Sequence, residues 1–569
     1  MQLSWQRWIG SGASRQLVEN ICRPLMKLPS RSSAVVFSLL LLLGGALIST
    51  RLLDSNLELP PAPAGPDTMS YNSLVSFHVG ELPKPTRDRR CHFPHSSSQA
   101  FSSSAKTLTA SKITLPDKIP KKHLEIPLNC AALNHTGTCP ANYPTTRGGA
   151  TDEPGPPSTC PEYFRWIHED LRPWAHTGIT REAVETAKRT ANFRLVIVKG
   201  KAYVERYQRA FQTRDVFTLW GILQLLRRFP GQVPDLELMF DCVDWPVVAK
   251  SGGYGENGDN ATVAPPPLFR YCGDDRTLDI VFPDWSFWGW PEINIKPWEG
   301  LQKELKEGNK RKRWMEREAY AYWKGNPAVA ETRMDLMKCN VSEEHDWNAR
   351  VFAQDWVKES QQGYKQSDLA NQCRHRYKIY IEGSAWSVSQ KYIMACDSVT
   401  LIVKPHYYDF FTRSLVPFHH YWPIQEHDKC KSIKFSVDWG NSHKQKAQEI
   451  GKAASSFIQD ELKMDFVYDY MLHLLTQYSK LLTFKPVVPK RAVELCSESM
   501  ACNAAGLEKK FMMESLVKGP SERAPCTIPT PYDPPSLSAV LRRNSNSIKQ
   551  VELWEKRYWD NQNKQQQQA

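Results

Sequence analysis

Motifs that commonly accompany metal chemistry are missing from this sequence. It contains no Cys-x-x-Cys pair, no cysteine–histidine ladder with zinc spacing and, in its central part, no Asp-x-Asp motif. Zinc and hard divalent cations are held by such groups of ligands, so we expect no bound metal and no cofactor. The sequence also lacks an internal repeat, and its 29 glycines against 40 prolines follow no collagen-like period.

Long hydrophobic runs are scarce, and a mean hydropathy of −0.51 excludes a polytopic membrane protein. One uncharged apolar run covers residues 32–50, bracketed by Arg31 and Arg51. About 20 helical residues cross a bilayer, so this run predicts a single transmembrane helix. The five basic residues and one acidic residue before it favour a cytosolic arm and an uncleaved type II anchor over a cleaved signal peptide.

A type II anchor places the rest of the chain in a lumen, which two further features favour. Sequons for N-glycosylation occur at Asn134, Asn260 and Asn340. Thirteen of the 14 cysteines follow the span, which predicts disulfides in an oxidising compartment and at least one unpaired thiol. Because the chain ends without a retrieval signal, we expect the Golgi membrane, with the endoplasmic reticulum as the second choice.

The net charge of +12 would by itself suggest an anionic partner such as nucleic acid. The arm before the span contributes +4, which leaves +8 for more than 500 lumenal residues. This charge is too dilute for a nucleic-acid surface, so we expect no nucleic-acid partner.

Composition divides the chain into six segments. They are a cytosolic arm (1–31), the anchor (32–50), a disordered proline- and serine-rich stem (51–158), two halves of a body (159–310 and 311–490, the second with a closing C-terminal helix) and a polar, mobile tail (491–569). Cys130 and Cys139 are expected to close a small loop within the stem.

The periodicity of the body is that of an α/β protein. Residues 377–381 and 399–403 are typical of buried strands, and residues 387–395 between them are typical of a short helix. A strand–loop–helix–strand order makes a βαβ unit, which predicts a parallel sheet.

Asp244 is the first candidate for chemistry. It follows the predicted strand 236–240 and precedes Trp245-Pro246. Carboxylates just beyond a strand lie where α/β sheets build their sites, and a nearby tryptophan suits a general base by excluding water. The alternative is that Asp244 only caps the turn before Pro246.

Aromatic residues crowd the stretch 279–299. Trp285, Trp288 and Trp290, together with Trp245, predict a platform on which a sugar or an acceptor stacks. The alternative is a corner of the hydrophobic core.

Two loops between strands and helices are candidates for binding a diphosphate. The first contains Lys324, Gly325 and Asn326 and leads to a helix with Arg333. The second contains Gly383, Ser384 and Ser387, with Lys391 one turn later. Backbone N–H groups at such helix starts bind anions, and the cations add charge. The alternative is ordinary capping of the helices.

These segments resemble the Rumi-type protein O-glucosyltransferases, the capsule-associated-protein-like domain of glycosyltransferase family 90, in its plant-like branch. The stretches PDLELMFDCVDWPVV, DIVFPDWSFWGWPEINI, AYWKGNP and CRHRYKIYIEGSAWSVSQKYIMACDS occur in family order. The resemblance implies a GT-B fold of two Rossmann-like domains facing a cleft, a UDP-sugar donor, inversion at the anomeric carbon and no metal. It implies Asp244 as the catalytic base. Cys373 and Cys396 flank the strand and helix around the second of the two loops, and we expect them to pair.

The sequence departs from the family in its donor loops. Animal members read F-R-G-S-R where this chain has Trp323-Lys324-Gly325-Asn326-Pro327, and a second family arginine is replaced by Ser389. The resemblance leaves UDP-glucose and UDP-xylose open as donors, and a protein or a glycan as acceptor. Two other classes stay open from the residues: an inactive lumenal ectodomain that binds sugar or protein, and a glycosidase, which would need a second carboxylate opposite Asp244.

Overall fold

The computed structural model of the protein describes residues 125–132, 139–140, 158–251 and 264–568. The predicted arm, the anchor at 32–50, most of the stem and the sequons at Asn134 and Asn260 lie outside these residues. Within the described ranges, every helix is too short or too polar to cross a membrane.

The described residues form two β-sheets surrounded by helices. The strands are β1 (Phe193–Val198), β2 (Lys201–Arg206), β3 (Leu236–Phe240), β4 (Leu268–Arg270), β5 (Ile280–Val281), β6 (Glu318–Gly325), β7 (Ala349–Ala353), β8 (His375–Tyr380), β9 (Val399–Val403), β10 (Trp422–Ile424) and β11 (Val493–Leu495). The helices are α1 (Trp166–Leu171), α2 (Arg181–Ala187), α3 (Arg214–Arg228), α4 (Trp298–Lys310), α5 (Glu331–Leu336), α6 (Trp356–Gln361), α7 (Ser389–Met394), α8 (Lys429–Ser442), α9 (Lys444–Ser456), α10 (Met464–Leu481), α11 (Ser497–Ala501), α12 (Gly506–Glu514) and α13 (Pro534–Gln568).

The first sheet is mixed, with the strand order β11-β2-β1-β3-β4-β5. The hairpin β1–β2 turns through Lys199 and Gly200, whose φ angles are 52° and 72°. Two consecutive residues with positive φ match the twist of a tight hairpin, and glycine adopts such angles freely. The strands β3, β4 and β5 run parallel to one another, so their carboxyl ends share one edge of the sheet.

The second sheet is parallel throughout, in the order β10-β9-β8-β6-β7. The central strands β8 and β9 are buried along their whole length, because helices cover both faces of such a sheet. The predicted βαβ unit of β8, α7 and β9 is confirmed. The chain reverses its winding direction between β6 and β8, and ligands of doubly wound sheets bind at the carboxyl ends beside such a reversal.

We call residues 158–310 and 464–530 the first half, since they carry or cover the first sheet, and residues 311–461 the second half. The helix α10 belongs to the first half, because the Tyr478 hydroxyl donates to the Glu237 carbonyl at 3.0 Å. Its ring also contacts Phe269 edge-on, with ring centres 4.9 Å apart. The expectation that residues 311–490 form one half with their own closing helix is therefore wrong for α10.

The prediction of a separate, mobile tail from residue 491 is also wrong. Strand β11 pairs with β2, and α13 packs on α8 of the second half, where the Tyr558 hydroxyl donates to Asp438 at 2.7 Å. Glu555 of α13 is buried and accepts a hydrogen bond from Ser432 at 2.9 Å. Because the segment is mostly polar, its composition does not reveal the few residues that attach it to the two halves.

Five disulfides join the described residues. They are Cys130–Cys502, Cys139–Cys496, Cys160–Cys526, Cys339–Cys430 and Cys373–Cys396, of which the last is the predicted pair. The expected loop between Cys130 and Cys139 is wrong, because each pairs with the C-terminal segment instead. The expected stem thus joins the body well before residue 158. Cys242 and Cys272 are unpaired and buried.

Candidate functional site

Three buried charges hold the loop that follows β3. Arg270 forms ion pairs with Asp241 and, at 3.2 Å, with Asp279. Asp279 also accepts hydrogen bonds from the backbone N–H groups of Val247 at 3.0 Å and Val248 at 2.9 Å. Burial raises the pKa of Asp279 to about 6, while the Arg270 guanidinium opposes this rise. The loop at 241–248 therefore has a fixed conformation.

Asp244 lies on this loop and remains partly open to solvent, with 29% of its side chain exposed. Its Oδ1 accepts a hydrogen bond from Arg214 Nη1 at 2.5 Å, and the Cys272 thiol donates to its carbonyl at 3.0 Å. Within the described residues, Oδ2 makes no hydrogen bond. The carboxylate is thus oriented through one oxygen, and the other is available to accept a proton.

Arg214 is a site residue that the sequence interpretation missed. It begins α3, and its guanidinium stacks 4.5 Å from the ring centre of Trp285. It also donates to the Cys242 carbonyl at 3.1 Å. No motif marks this arginine, because α3 and Asp244 are brought together only by the packing of the helix on the first sheet.

Arg333 joins the two loops at the winding reversal of the second sheet. Its guanidinium donates to the carbonyls of Glu382 at 2.9 Å, Ile381 at 3.2 Å and Asn326 at 3.4 Å. Burial lowers its pKa to about 10, and electrostatic interactions with Tyr380, Asp244 and Glu382 oppose this shift.

Glu382 is a second residue that the sequence interpretation missed. It lies just after β8, and its buried carboxylate accepts hydrogen bonds from the backbone N–H groups of His406 at 3.1 Å and Tyr407 at 2.9 Å. Burial raises its pKa to about 7. Glu382 thereby connects the loop after β8 with the segment after β9.

The loop after β8 also contacts the first half directly. Trp386 packs against Tyr271 and Trp285, with ring centres 5.8 and 6.2 Å apart. Gly383 leaves room for Arg333, whose Nη2 would lie 3.3 Å from an added Cβ. Ser384 is exposed beside these residues. This loop is therefore linked to Asp244 through Trp285 and Arg214.

Two residues of the predicted loops, Asn326 and Ser387, cap helical turns, as the alternative interpretation expected. Asn326 Oδ1 accepts from Ala328 N at 3.0 Å at the start of the short 3₁₀ turn Pro327–Val329. Ser387 Oγ accepts from Ser389 N at 3.4 Å, in the first turn of α7. Gly325 is enclosed by the Trp323 ring, which would lie 2.5 Å from an added Cβ.

Two predicted ligands of a diphosphate are engaged elsewhere. Lys391 is 1% exposed and forms an interior ion pair with Asp284 at 2.9 Å, so its prediction as a direct ligand is wrong. Lys324 donates to the Gln366 carbonyl at 3.0 Å and faces Glu359 at 3.5 Å, so its charge is already partnered inside the second half. Sequence alone gives the number of cations near a loop but not the direction in which they point.

The predicted aromatic platform is wrong for two of its four tryptophans. Trp288 is fully buried, donates to the Tyr468 hydroxyl at 3.0 Å and packs flat on α3 at Gly221, where an added Cβ would lie 2.4 Å from its ring. Trp285 is buried beneath Arg214. Both belong to the core corner of the alternative interpretation. Trp290 is half-buried and donates to Gln212 at 2.7 Å.

Trp245 is the exposed member of the platform, with 37% of its surface accessible. Its carbonyl accepts a hydrogen bond from Arg270, which fixes the backbone beneath the ring. The side chain of Asp244 is itself 29% exposed, so the expected exclusion of water from Asp244 by Trp245 is not seen.

Metal-ligand side chains converge at one place among the described residues, formed by Cys160, His473 and Cys526. The two cysteines form a disulfide and offer no thiolates, so this group does not suit a metal ion.

Of the three predicted glycosylation sequons, the one at Asn340 lies within the described residues. Asn340 is half-buried, and its Oδ1 accepts a hydrogen bond from Val351 N at 3.1 Å.

The two sheets with their covering helices, one of them parallel throughout with a winding reversal, define an α/β protein. Residues 156–555 match the model of Glycosyl transferase family 90, and the chain belongs to this family. The protein is a glycosyltransferase, and the family resemblance of its motifs is confirmed.

The relatives include two named O-glucosyltransferases. The chain is 22% identical over 343 residues to "O-glucosyltransferase rumi" of Drosophila melanogaster, an alignment that covers 58% of this chain and 79% of the relative. It is 25% identical over 352 residues to "Protein O-glucosyltransferase 1" of Homo sapiens, which covers 58% of this chain and 83% of the relative. The same identity and coverage hold for the protein of that name from Bos taurus.

Proposed function

We propose that this glycosyltransferase transfers glucose or xylose from a UDP-sugar to a hydroxyl of a protein or glycan acceptor, with inversion and without a metal ion. The observation that carries the proposal is Asp244, a partly exposed carboxylate beyond β3 that is linked through Arg214 and Trp285 to Trp386 of the loop after β8. The names of the relatives, O-glucosyltransferases, support the sugar and the acceptor class. In this proposal the two halves act as the two domains of a GT-B enzyme, with the substrates between them.

Asp244 accepts the proton of the acceptor hydroxyl through its free oxygen. The hydroxyl oxygen then forms a bond to the anomeric carbon, on the face opposite UDP, while the bond from that carbon to the UDP oxygen breaks. The electron pair of the broken bond leaves with the UDP oxygen. A positioned base contributes roughly 10²–10⁴-fold to such a reaction. Arg214 orients the carboxylate at 2.5 Å, and Trp245 offers an aromatic face for the acceptor.

The diphosphate of the donor binds at the loops after β6 and β8. Backbone N–H groups at 325–326 and 383–387, with the hydroxyl of Ser384, supply donors to its oxygens. Arg333 keeps the two loops together and adds a positive charge behind them. Because Lys391 is buried and Lys324 is partnered, these donors carry more of the binding than the sequence suggested.

The proposed cellular site is the Golgi membrane, with a single type II anchor at 32–50 and a lumenal body. Five disulfides in the described residues are typical of proteins that fold in an oxidising compartment. Fluorescence microscopy of the tagged full chain against Golgi and endoplasmic reticulum markers tests this location.

The activity is tested with the full chain purified in detergent and a panel of UDP-sugars, with and without EDTA. We expect transfer from UDP-glucose or UDP-xylose that EDTA does not reduce. Loss of activity with EDTA would contradict the metal-free mechanism. Release of free sugar from glycans without any nucleotide sugar would instead favour a glycosidase.

The catalytic role is tested by Asp244→Asn, which removes the proton acceptor with little change in shape. We expect transfer to fall by roughly 10²–10⁴-fold while the melting temperature stays within a few degrees. Asp275→Asn is the matched control, since Asp275 is an exposed aspartate on the neighbouring loop. Near-normal transfer by Asp244→Asn would overturn the assignment.

A further inference from the structure

A buried polar network crosses from the first half to the second. The ammonium of Lys391 donates to Asp284 Oδ2 and to Ser286 Oγ, each at 2.9 Å. The Tyr392 hydroxyl donates to the same Ser286 oxygen at 2.9 Å. Lys391 also lies 4.5 Å from the ring centre of Phe287. Asp284, Ser286 and Phe287 follow β5 in the first half, whereas Lys391 and Tyr392 belong to α7 in the second.

A third charge completes the network. Asp409, from the segment after β9, is buried, and its carboxylate accepts backbone hydrogen bonds from Phe411 at 3.2 Å and Thr412 at 3.1 Å. Burial and the charge of Asp284 raise its pKa to about 7, while Lys391 acts in the opposite direction. Lys391 is therefore paired with Asp284 and also interacts electrostatically with Asp409.

The network is placed next to the proposed catalytic residues. Helix α7 begins at Ser389, directly after the loop at 381–388 that is proposed to hold the diphosphate. From this loop, Trp386 packs on Trp285, Trp285 supports Arg214, and Arg214 holds the Asp244 carboxylate. A shift of α7 relative to Asp284 would move the loop and, through this chain of contacts, its spacing from the base.

We propose that Lys391 is a positioning residue, which fixes the donor loop relative to Asp244 through its ion pair with Asp284. The inference rests on the proposed function for its catalytic consequence. A buried ion pair is weak support for stability, because apolar residues of similar size often replace it without loss. Its directional hydrogen bonds do specify one arrangement of the two halves, which a catalytic geometry needs.

The test compares Lys391→Met and Asp284→Asn in the full chain. If Lys391 acts through Asp284, both variants lower kcat by about 10–100-fold, because a misplacement of about 1 Å is enough for such a loss. The KM for the UDP-sugar and the Kd for UDP change by less than about threefold. If Lys391 were a direct ligand of the diphosphate, Lys391→Met would instead weaken UDP binding and Asp284→Asn would not. That result would overturn the proposal.

The matched control is Arg413→Met. Arg413 forms a largely buried ion pair with Asp170, also between the two halves, at 2.6 Å, but it does not adjoin the loop at 381–388. We expect a lower melting temperature for this variant and an unchanged kcat. An equal loss of kcat in Arg413→Met would mean that any broken interior pair reduces activity, and Lys391 would then have only a structural role.

The double variant Lys391→Met/Asp284→Leu removes both charges and avoids an unpaired group. If the pair is only structural, this variant recovers melting temperature and kcat together, which would overturn the proposal. If the pair positions the loop, the melting temperature recovers while kcat stays low.

Hydrogen–deuterium exchange separates the failure of this inference from the failure of the proposed function. We expect faster exchange in the loop 381–388 for Lys391→Met and Asp284→Asn, but not for Arg413→Met. This readout holds even if the wild-type protein transfers no sugar from any UDP-sugar. Unchanged exchange in that loop would overturn the positioning role.

Discussion

The loops after β3 and after β8 are linked through Trp285 and Arg214, but their charges are arranged in opposite ways. After β3, buried charges on Asp241, Arg270 and Asp279 fix the backbone, and Asp244 is left at the surface. After β8, the predicted cation Lys391 is itself buried, and exposed Ser384 is neutral. One loop thus uses its interior charges to present a reactive carboxylate, whereas the other uses them to fix the spacing of the two halves.

The comparison shows that a charged residue near a strand end has two possible uses. It can contact the substrate, or it can hold the element that does. Burial and partners distinguish the two uses, since a charge that is already paired inside the protein gains little from a ligand.

The largest effect on the first loop is expected from Arg270→Met. This change leaves Asp241 and Asp279 buried without their cation, and breaking such a group costs about 3–5 kcal/mol. We expect a large fall in the melting temperature, measured by differential scanning fluorimetry. Arg276→Met is the control, because the Arg276 side chain is 82% exposed and its pair with Asp274 is worth little. Equal melting temperatures for the two variants would contradict the role of Arg270.

The second loop is tested through the pH dependence of Glu382→Gln. The folded-state pKa of Glu382 is raised from 4.5 to about 7, so its contribution to stability is full below about pH 4.5 and is lost as the pH rises through 7. At about 1.4 kcal/mol per pKa unit, the loss is about 3 kcal/mol. Relative to wild type, Glu382→Gln should therefore become more stable between pH 5 and 7.5.

This prediction concerns the difference between the two proteins, since other groups also titrate. Burial lowers the pKa of His375 to about 3 and of His420 to about 4, which makes both proteins less stable in acid. These contributions cancel in the difference of melting temperatures. Parallel curves for wild type and Glu382→Gln across this pH range would refute the role of Glu382.

The smallest effect on stability is expected from Trp245→Ala. The ring is exposed, and surface substitutions usually change stability by less than about 0.5 kcal/mol. We expect the KM for the acceptor to rise severalfold with little change in the KM for the UDP-sugar. Trp288→Ala should instead destabilise the fold by about 3–5 kcal/mol, because Trp288 is fully buried. An unaltered acceptor KM in Trp245→Ala would remove Trp245 from the acceptor surface.

Local sequence patterns predicted the buried strands β3, β8 and β9. The bounds of β3 and β9 are those expected from their apolar runs, and β8 differs by two residues at its start and one at its end. Buried parallel strands read as continuous apolar runs between glycine-containing loops, so this signal is strong. Strand β11 was missed, because three residues in a polar segment carry no period.

The position of Asp244 beyond β3 was likewise evident from the sequence, because a charged residue after a buried strand falls at a sheet edge. The environment of Asp244 was not evident. Arg214 approaches it from a helix 30 residues earlier in the chain, and the neighbouring Trp245 is exposed to solvent. Contacts between distant segments leave no local pattern.

The sequence by itself determined the family, the α/β class and the strand after which the proposed base lies, because these depend on motifs and periods along the chain. Only the tertiary structure decided which charges face the site. Lys391, Trp285 and Trp288 were predicted as ligand contacts, yet packing of the two halves placed them inside. The same packing tied the polar C-terminal segment to both halves through β11, α13 and three disulfides. Burial is a property of the assembled fold, so residue type alone does not specify it.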